Sequence, residues 1–272
     1  MESFIKLILI IFALSSAACT SMIYQPDNYL YALPKQFHVE FTPIIINSKD
    51  GTSLSAWRLY SKTPKPKRLL LYFHGNAQNL TAHFLNTVWM TEHETDIIIF
   101  DYRGYGLSEG KPNPAGVRED GLAFLNYAHD QFMKGGFKQF IVYGQSLGGS
   151  ILLGSLEDFS HRSDIDLLVL DSTFLSAREV AQEKTFWPLS LVISTEADAK
   201  ASLSHITMPV LSIHSTKDDV INFKLGAKLN ESILNSPKKN FWSYDDPGHG
   251  EVFFVQKKKF QTRFLEYLEM KN

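Results

Sequence analysis

Three side chains in the sequence have the types and surroundings needed to move an acyl group. The first is Ser146, in "VYGQSLGGS" (142–150), with Gly144 and Gly148 two positions away on either side. An apolar run precedes this G-x-S-x-G and a helix-like stretch follows it. A strand-to-helix turn of this kind lifts the hydroxyl above a sheet, and its strained backbone costs about 1–3 kcal/mol. Small residues are needed at 144 and 148, where side chains would collide with the adjoining strand and helix. A serine hydroxyl is a weak nucleophile and needs a base that is itself oriented by a carboxylate. His249 is the only histidine beyond the last apolar run, in the loop "DDPGHGE", whose glycines and proline suit a ring placed over a sheet. For the acid, "SIHSTKDDVI" puts Asp218 and Asp219 after the run 209–214, while Asp171 ends the run before it. Asp218 is favoured. Asp219 and Asp171 stay open, and Asp171, followed by Ser172 and Thr173, also fits a turn or helix cap. The oxyanion of an acyl-transfer intermediate needs backbone donors. Leu147 N–H follows the nucleophile, and the loop "HGNAQN" (74–79) supplies a second, assigned to Asn76 in preference to Ala77.

Something must hold these residues together, and the remaining sequence says what. Runs 37–46 and 53–61, joined by Lys49-Asp50-Gly51, read as a hairpin. Continuous apolar runs then recur at 69–74, 96–101, 139–144, 166–171, 209–214 and 240–245, with helix-like stretches such as 116–132 and 223–233 between them. Runs without polar alternation are strands buried on both faces, as in parallel sheets. The alternation predicts an α/β fold, a mostly parallel central sheet with helices on both faces. In such sheets ligands bind beyond the carboxyl ends of the strands, where Ser146, the two loop carboxylates and His249 all fall. A final segment with Phe260, Phe264, Leu265 and Leu268 on one face reads as a packed terminal helix.

The N-terminus is of a different kind. Lys6 precedes an apolar stretch over 7–14 and small residues lead up to Cys19, the sole cysteine of the chain. The stretch is too short to span a bilayer, which takes about 20 apolar residues, and fits a secretory signal peptide, 1–18. The arrangement resembles the lipobox of bacterial lipoproteins, in which that cysteine is lipidated, although Ser16 stands where leucine is usual. Residues 19–35, polar with Pro26 and Pro34, then read as a tether to the membrane, with 36–272 as the hydrolytic domain. The expected location is exported and membrane-anchored, with a secreted or periplasmic protein as the alternative. One cysteine excludes an intrachain disulfide. A net charge of −2, from 27 basic and 29 acidic side chains, gives no reason to expect nucleic acid as a partner. No metal-binding, phosphate-binding or dinucleotide pattern is present, so neither metal nor cofactor is expected.

Five motifs in order, "YFHGNAQN", "DYRGYGLSEGKP", "VYGQSLGGSI", "PVLSIHSTKDDVI" and "PGHGEVF", resemble the α/β-hydrolase superfamily over residues 50–268. They are similar to a branch of small serine hydrolases that includes membrane-associated lysophospholipid lipases and protein depalmitoylases. The resemblance implies Ser146 as nucleophile, Asp218 as acid and His249 as base, acting on acyl esters or thioesters, with "DYRGYGLS" as support for the site floor. Ser215 and Asn222 depart from the glycine and proline often found in relatives. The insertion at about 174–200 falls where the superfamily places its cap. There Phe186, Trp187, Leu189, Leu191 and Val192 either line an acyl pocket or pack on the core. A peptidase or amidase using the same triad, and a non-catalytic binding protein, are the rival readings.

Overall fold

The apolar runs 69–74, 96–101, 139–144, 166–171 and 209–214 become strands because both of their faces are buried. The run 240–245, expected to be the same, lies instead at the sheet edge, where it buries Trp242 and Tyr244 and exposes Ser243 and Asp245. In the computed structural model, which describes residues 23–184 and 200–270, β1 (Phe41–Asn47) and β2 (Ser53–Leu59) make the expected hairpin. They are followed by β3 (Arg68–Phe73), β4 (Thr95–Phe100), β5 (Gln139–Gln145), β6 (Leu167–Asp171), β7 (Val210–Lys217) and β8 (Lys239–Pro247). Among the described residues these form one sheet in the order β1-β2-β4-β3-β5-β6-β7-β8. The pairings β1 to β2 and β2 to β4 are antiparallel, and those from β4 through to β8 are parallel. Alternate residues feed two separate cores. Leu69, Leu71 and Phe73 face one, with Phe140 and Val142, while Leu70 and Tyr72 face the other, with Ile141 and Tyr143. A period of two inside a continuous apolar run is what a sheet covered on both sides requires.

The helices start and stop where local chemistry dictates. The helix α1 (Pro114–Gly135) has proline in its first turn, and the Asn113 side chain accepts the Gly116 N–H at 2.8 Å. It ends at Gly136, whose φ of 68° is the left-handed conformation a helix stop favours. The others with a bearing on the site are α2 (Leu147–Leu156), α3 (Ala177–Lys184), α4 (Phe223–Ser232) and the C-terminal α5 (Lys257–Glu269). Asn222, in place of the more usual proline, caps α4 by accepting the Lys224 N–H at 3.0 Å. The expected apolar face of α5 buries Phe260, Phe264 and Leu268, joined by Tyr267. None of the described helices is long and apolar enough to cross a membrane.

The sheet order puts β3 and β5 side by side, with Phe73 opposite Gly144. The loop after one strand and the turn after the other therefore emerge next to each other at the carboxyl edge.

The segment read as a tether behaves otherwise from residue 23 onward. Tyr24 is 2% exposed and belongs to the core beneath the carboxyl edge. Asn79 Nδ2 donates to the Asp27 side chain and to the Tyr29 carbonyl, both at 2.8 Å, and Gly106 N–H donates to the Asp27 carbonyl. A polar, proline-bearing composition looks like a linker, but here its polar groups find partners on the domain. The upstream part of the proposed tether, with Cys19 and the signal-like stretch, lies outside the described residues.

Candidate active site

Ser146 sits on the last corner of β5 with φ 52° and ψ −123°, a conformation that non-glycine residues adopt only under strain. The corner is fixed by the Ser146 N–H donating to the Asp171 carbonyl at 2.8 Å. A Cβ on Gly148 would lie 2.3 Å from the carbonyl oxygens of both Phe73 and His74, and one on Gly144 would lie 2.5 Å from Gly149 Cα. Backbone cannot yield as a side chain can, so α2 and the sheet approach this closely only because both positions lack side chains. Ser146 precedes α2, and its carbonyl accepts the Gly149 N–H at 3.0 Å, but its side chain makes no capping bond. Its hydroxyl is left for His249.

His249 Nε2 lies 2.7 Å from Ser146 Oγ, and His249 Nδ1 lies 2.8 Å from Asp218 Oδ2. The tautomer that satisfies both contacts carries its proton on Nδ1, donates to Asp218 and accepts from the serine hydroxyl. Asp218 is fully enclosed as a side chain. Its Oδ1 accepts the backbone N–H groups of Val220 at 2.9 Å and Ile221 at 2.8 Å. Burial alone would raise the carboxyl pKa. The contacts from His214, His249 and the Ile221 N–H outweigh it and hold the group well below the usual carboxylate range. Asp218 therefore stays ionised at any pH near neutrality.

The other two candidate acids are placed elsewhere. Asp171 is buried, its oxygens taken by Tyr143 Oη at 2.6 Å and Ser172 Oγ at 3.3 Å, and burial pushes its pKa up. Asp219 is exposed, and its carbonyl accepts from Lys184 at 2.5 Å. Neither is hydrogen-bonded to His249.

Several supporting residues carry no sequence signal of their own. His214 Nε2 lies 3.3 Å from Asp218 Oδ2 and 3.0 Å from the Ile221 carbonyl, bracing the acid's loop. Gln145 Nε2 donates to the Gly250 carbonyl, and Ser172 Oγ accepts the Gly250 N–H at 2.9 Å, so the loop carrying His249 is held at the residue after the ring. These contacts span 105 and 78 residues of chain, which local pattern cannot register. In the loop after β3, His83 Nε2 meets the Ala77 carbonyl at 3.1 Å, and burial with the neighbouring His74 lowers its pKa to about 3, so it is neutral there. The "DYRGYGLS" motif is structural: Tyr102 is buried with its hydroxyl on the His74 carbonyl, and Arg103 is bound to Asp120 and Asp50.

Two cavities meet at Ser146. One, about 280 Å³, is lined largely by apolar groups: Ile23, Leu147, Phe174, Ala177, Val180, Ala181, Val220 and Ile221, with Asn76 and Lys184. The other, about 440 Å³, is mixed, with Gln25, Asn76, Gln78, Asn86, Gln145, His249 and Glu251 beside Ala77, Ala82 and Val220. Both assigned oxyanion residues border the apolar cavity. Leu147 opens α2, so its N–H has no acceptor within the helix. The first turns of the cap, in α3, form one wall. Phe186, Trp187, Leu189, Leu191 and Val192 lie outside the described residues.

A largely parallel sheet that carries a strained serine after its fifth strand, with histidine and aspartate from later loops, has the architecture of an α/β hydrolase. A family model described as serine aminopeptidase, S33, matches residues 64–195. YfhR of Escherichia coli K12 is 30% identical over 222 residues, covering 80% of this chain and 76% of YfhR. The lysophosphatidylserine lipase ABHD12 of Danio rerio is 29% identical over 189 residues, 63% of this chain and 49% of that protein. Among solved structures, the Pyrococcus furiosus esterase Pf2001 superposes with a TM-score of 0.73 at 19% identity, over 91% of this chain and 98% of the esterase. The chain belongs to the α/β-hydrolase family that includes YfhR.

Proposed function

We propose that this hydrolase cleaves carboxylic esters or thioesters of acyl chains, with Ser146 as nucleophile, His249 as base and Asp218 as the orienting acid. The observation that carries the reading is the unbroken line from Ser146 Oγ through His249 to the enclosed Asp218 carboxylate. Oγ attacks the acyl carbonyl as its proton passes to His249 Nε2. The oxyanion is received by the Leu147 and Asn76 N–H groups, each such donor contributing about 2.7–4 kcal/mol to the transition state. Collapse breaks the bond to the leaving group, which takes the proton from His249. Water then attacks the acyl-enzyme by the same route and releases the acid, restoring Ser146. Asp218 stabilises the imidazolium without itself taking the proton.

A largely apolar cavity and a more polar, mixed one, both bordered by Ser146, suit an acyl chain and a polar leaving group. The lipase and esterase activities named for the two relatives are of this kind. The test is a panel of acyl esters, thioesters and matched amides, with a fluorophosphonate probe. The expected result is turnover of the esters and one covalent adduct at Ser146. An active protein that the probe does not label would overturn the nucleophile assignment. The description of the family model favours a second reading, cleavage of amides at the same serine, and turnover of amides without esters would establish it.

Cys19, behind its apolar stretch, supports a lipid-anchored, exported protein as part of this proposal. Replacing Cys19 with serine is expected to shift the protein from the membrane to the soluble fraction on cell fractionation. An unchanged membrane fraction would sink the anchor.

A further inference from the structure

Residues 23–25 reach both halves of the site. Ile23 lines the apolar cavity and Gln25 the mixed one, and the two cavities share Asn76, Ser146 and Val220. Between them Tyr24 is sunk into the core, so its neighbours are held against the site rather than lying loosely across it. A single amide fastens the arrangement. Asn76 Nδ2 donates to the Ile23 carbonyl at 2.7 Å, and Asn76 Oδ1 accepts the Gln25 N–H at 3.0 Å. Tyr105 Oη donates to the same oxygen at 2.8 Å and itself lies 3.2 Å from the Gln25 nitrogen.

We propose that this N-terminal stretch is a built-in part of the substrate site, with Ile23 as the residue that limits acyl-chain length and the Asn76 side chain as the clamp that positions it. The inference rests on Ser146 being the acyl acceptor, and it assigns substrate selection to a segment that precedes the first strand. In a cavity of about 280 Å³, a change in the volume of one wall side chain changes the room for an acyl chain appreciably. Adding indole volume at 23 shrinks the space that a long chain needs, whereas removing the branched side chain enlarges it. Short chains, which need less of the cavity, feel either change less. If its backbone N–H receives the oxyanion as proposed, Asn76 acts twice, since its side chain holds the wall, and the acyl pocket and the oxyanion donor share one support.

The experiment compares butyrate and dodecanoate esters of one alcohol on the full chain, reading the ratio of kcat/KM for the long ester to that for the short. Ile23→Trp is expected to lower the ratio at least tenfold, and Ile23→Ala to raise it at least threefold. Fluorophosphonate labelling of each variant reports a folded, reactive Ser146. If Ile23→Trp fails to label, Ile23→Ala decides, because truncation of a half-buried side chain leaves the clamp through the 23 carbonyl in place. A ratio within twofold of wild type in the labelled variants overturns the assignment of Ile23. Loss of labelling and turnover in the wild-type protein is a different result, and it would remove the nucleophile reading on which this one stands.

Discussion

Replacing Ser146 with alanine is expected to lower kcat for acyl esters by about 10⁶-fold while leaving the fold intact. The serine hydroxyl contacts His249 and caps nothing, so its removal takes away no hydrogen bond on which α2 depends. Alanine at φ 52° carries the same backbone strain as serine, so the corner has no new reason to move. What remains is the cradle without its nucleophile. Binding and oxyanion donors alone still give about 10³–10⁴ over water, and the residual rate should fall near that level. The check is a kcat measurement beside a thermal melt. Full turnover by a well-folded Ser146→Ala protein would place the chemistry elsewhere.

Asp218→Asn is expected to cost about 10⁴ in kcat, and the reason is where a proton sits. The asparagine oxygen can keep accepting the Val220 and Ile221 N–H groups, so the loop retains its shape. Its amide nitrogen then faces His249 Nδ1, a donor where an acceptor had been. The imidazole must turn its lone pair toward the new amide and carry its proton on Nε2, pointing at Ser146 Oγ instead of accepting from it. The same exchange at Asp171 should lower kcat less than tenfold while reducing the melting temperature, because that carboxyl serves Tyr143 and not His249. Comparing the two variants by kcat and by melting decides between the acids. A larger kcat loss at Asp171 would reverse the assignment.

Much of the sheet could be read from the sequence because burial on both faces removes polar residues from whole runs. The 69–74 and 139–144 runs meet β3 and β5 to within a residue. Ser146 was legible for a related reason, since its flanking glycines record close contact with neighbouring backbone. The acid was harder. Asp171, Asp218 and Asp219 all follow apolar runs, and sequence does not say which way a side chain points from the end of a strand. The bracing by His214, Gln145 and Ser172 was hidden because it depends on pairings across the sheet. The stretch before β1 reads as a linker for the opposite reason. Its composition is polar, and its partners, among them Asn76, Asn79, Thr81, Tyr105 and Gly106, lie far along the chain.

Ser146 and His249 are 103 residues apart, and the loop bearing His249 follows β8, which among the described residues is an edge strand paired with β7 alone. On the proposed roles, the nucleophile is thus synthesised before its acid and its base, and the base is in place only once β8 has paired with β7. Contacts as distant along the chain as that between Ser146 and His249 are slow to form. A newborn chain therefore carries a serine without its proposed base until the final strand has paired. The gain of esterase activity during refolding is in this sense a clock for the final strand. It starts when β8 docks, however early the rest of the sheet has formed.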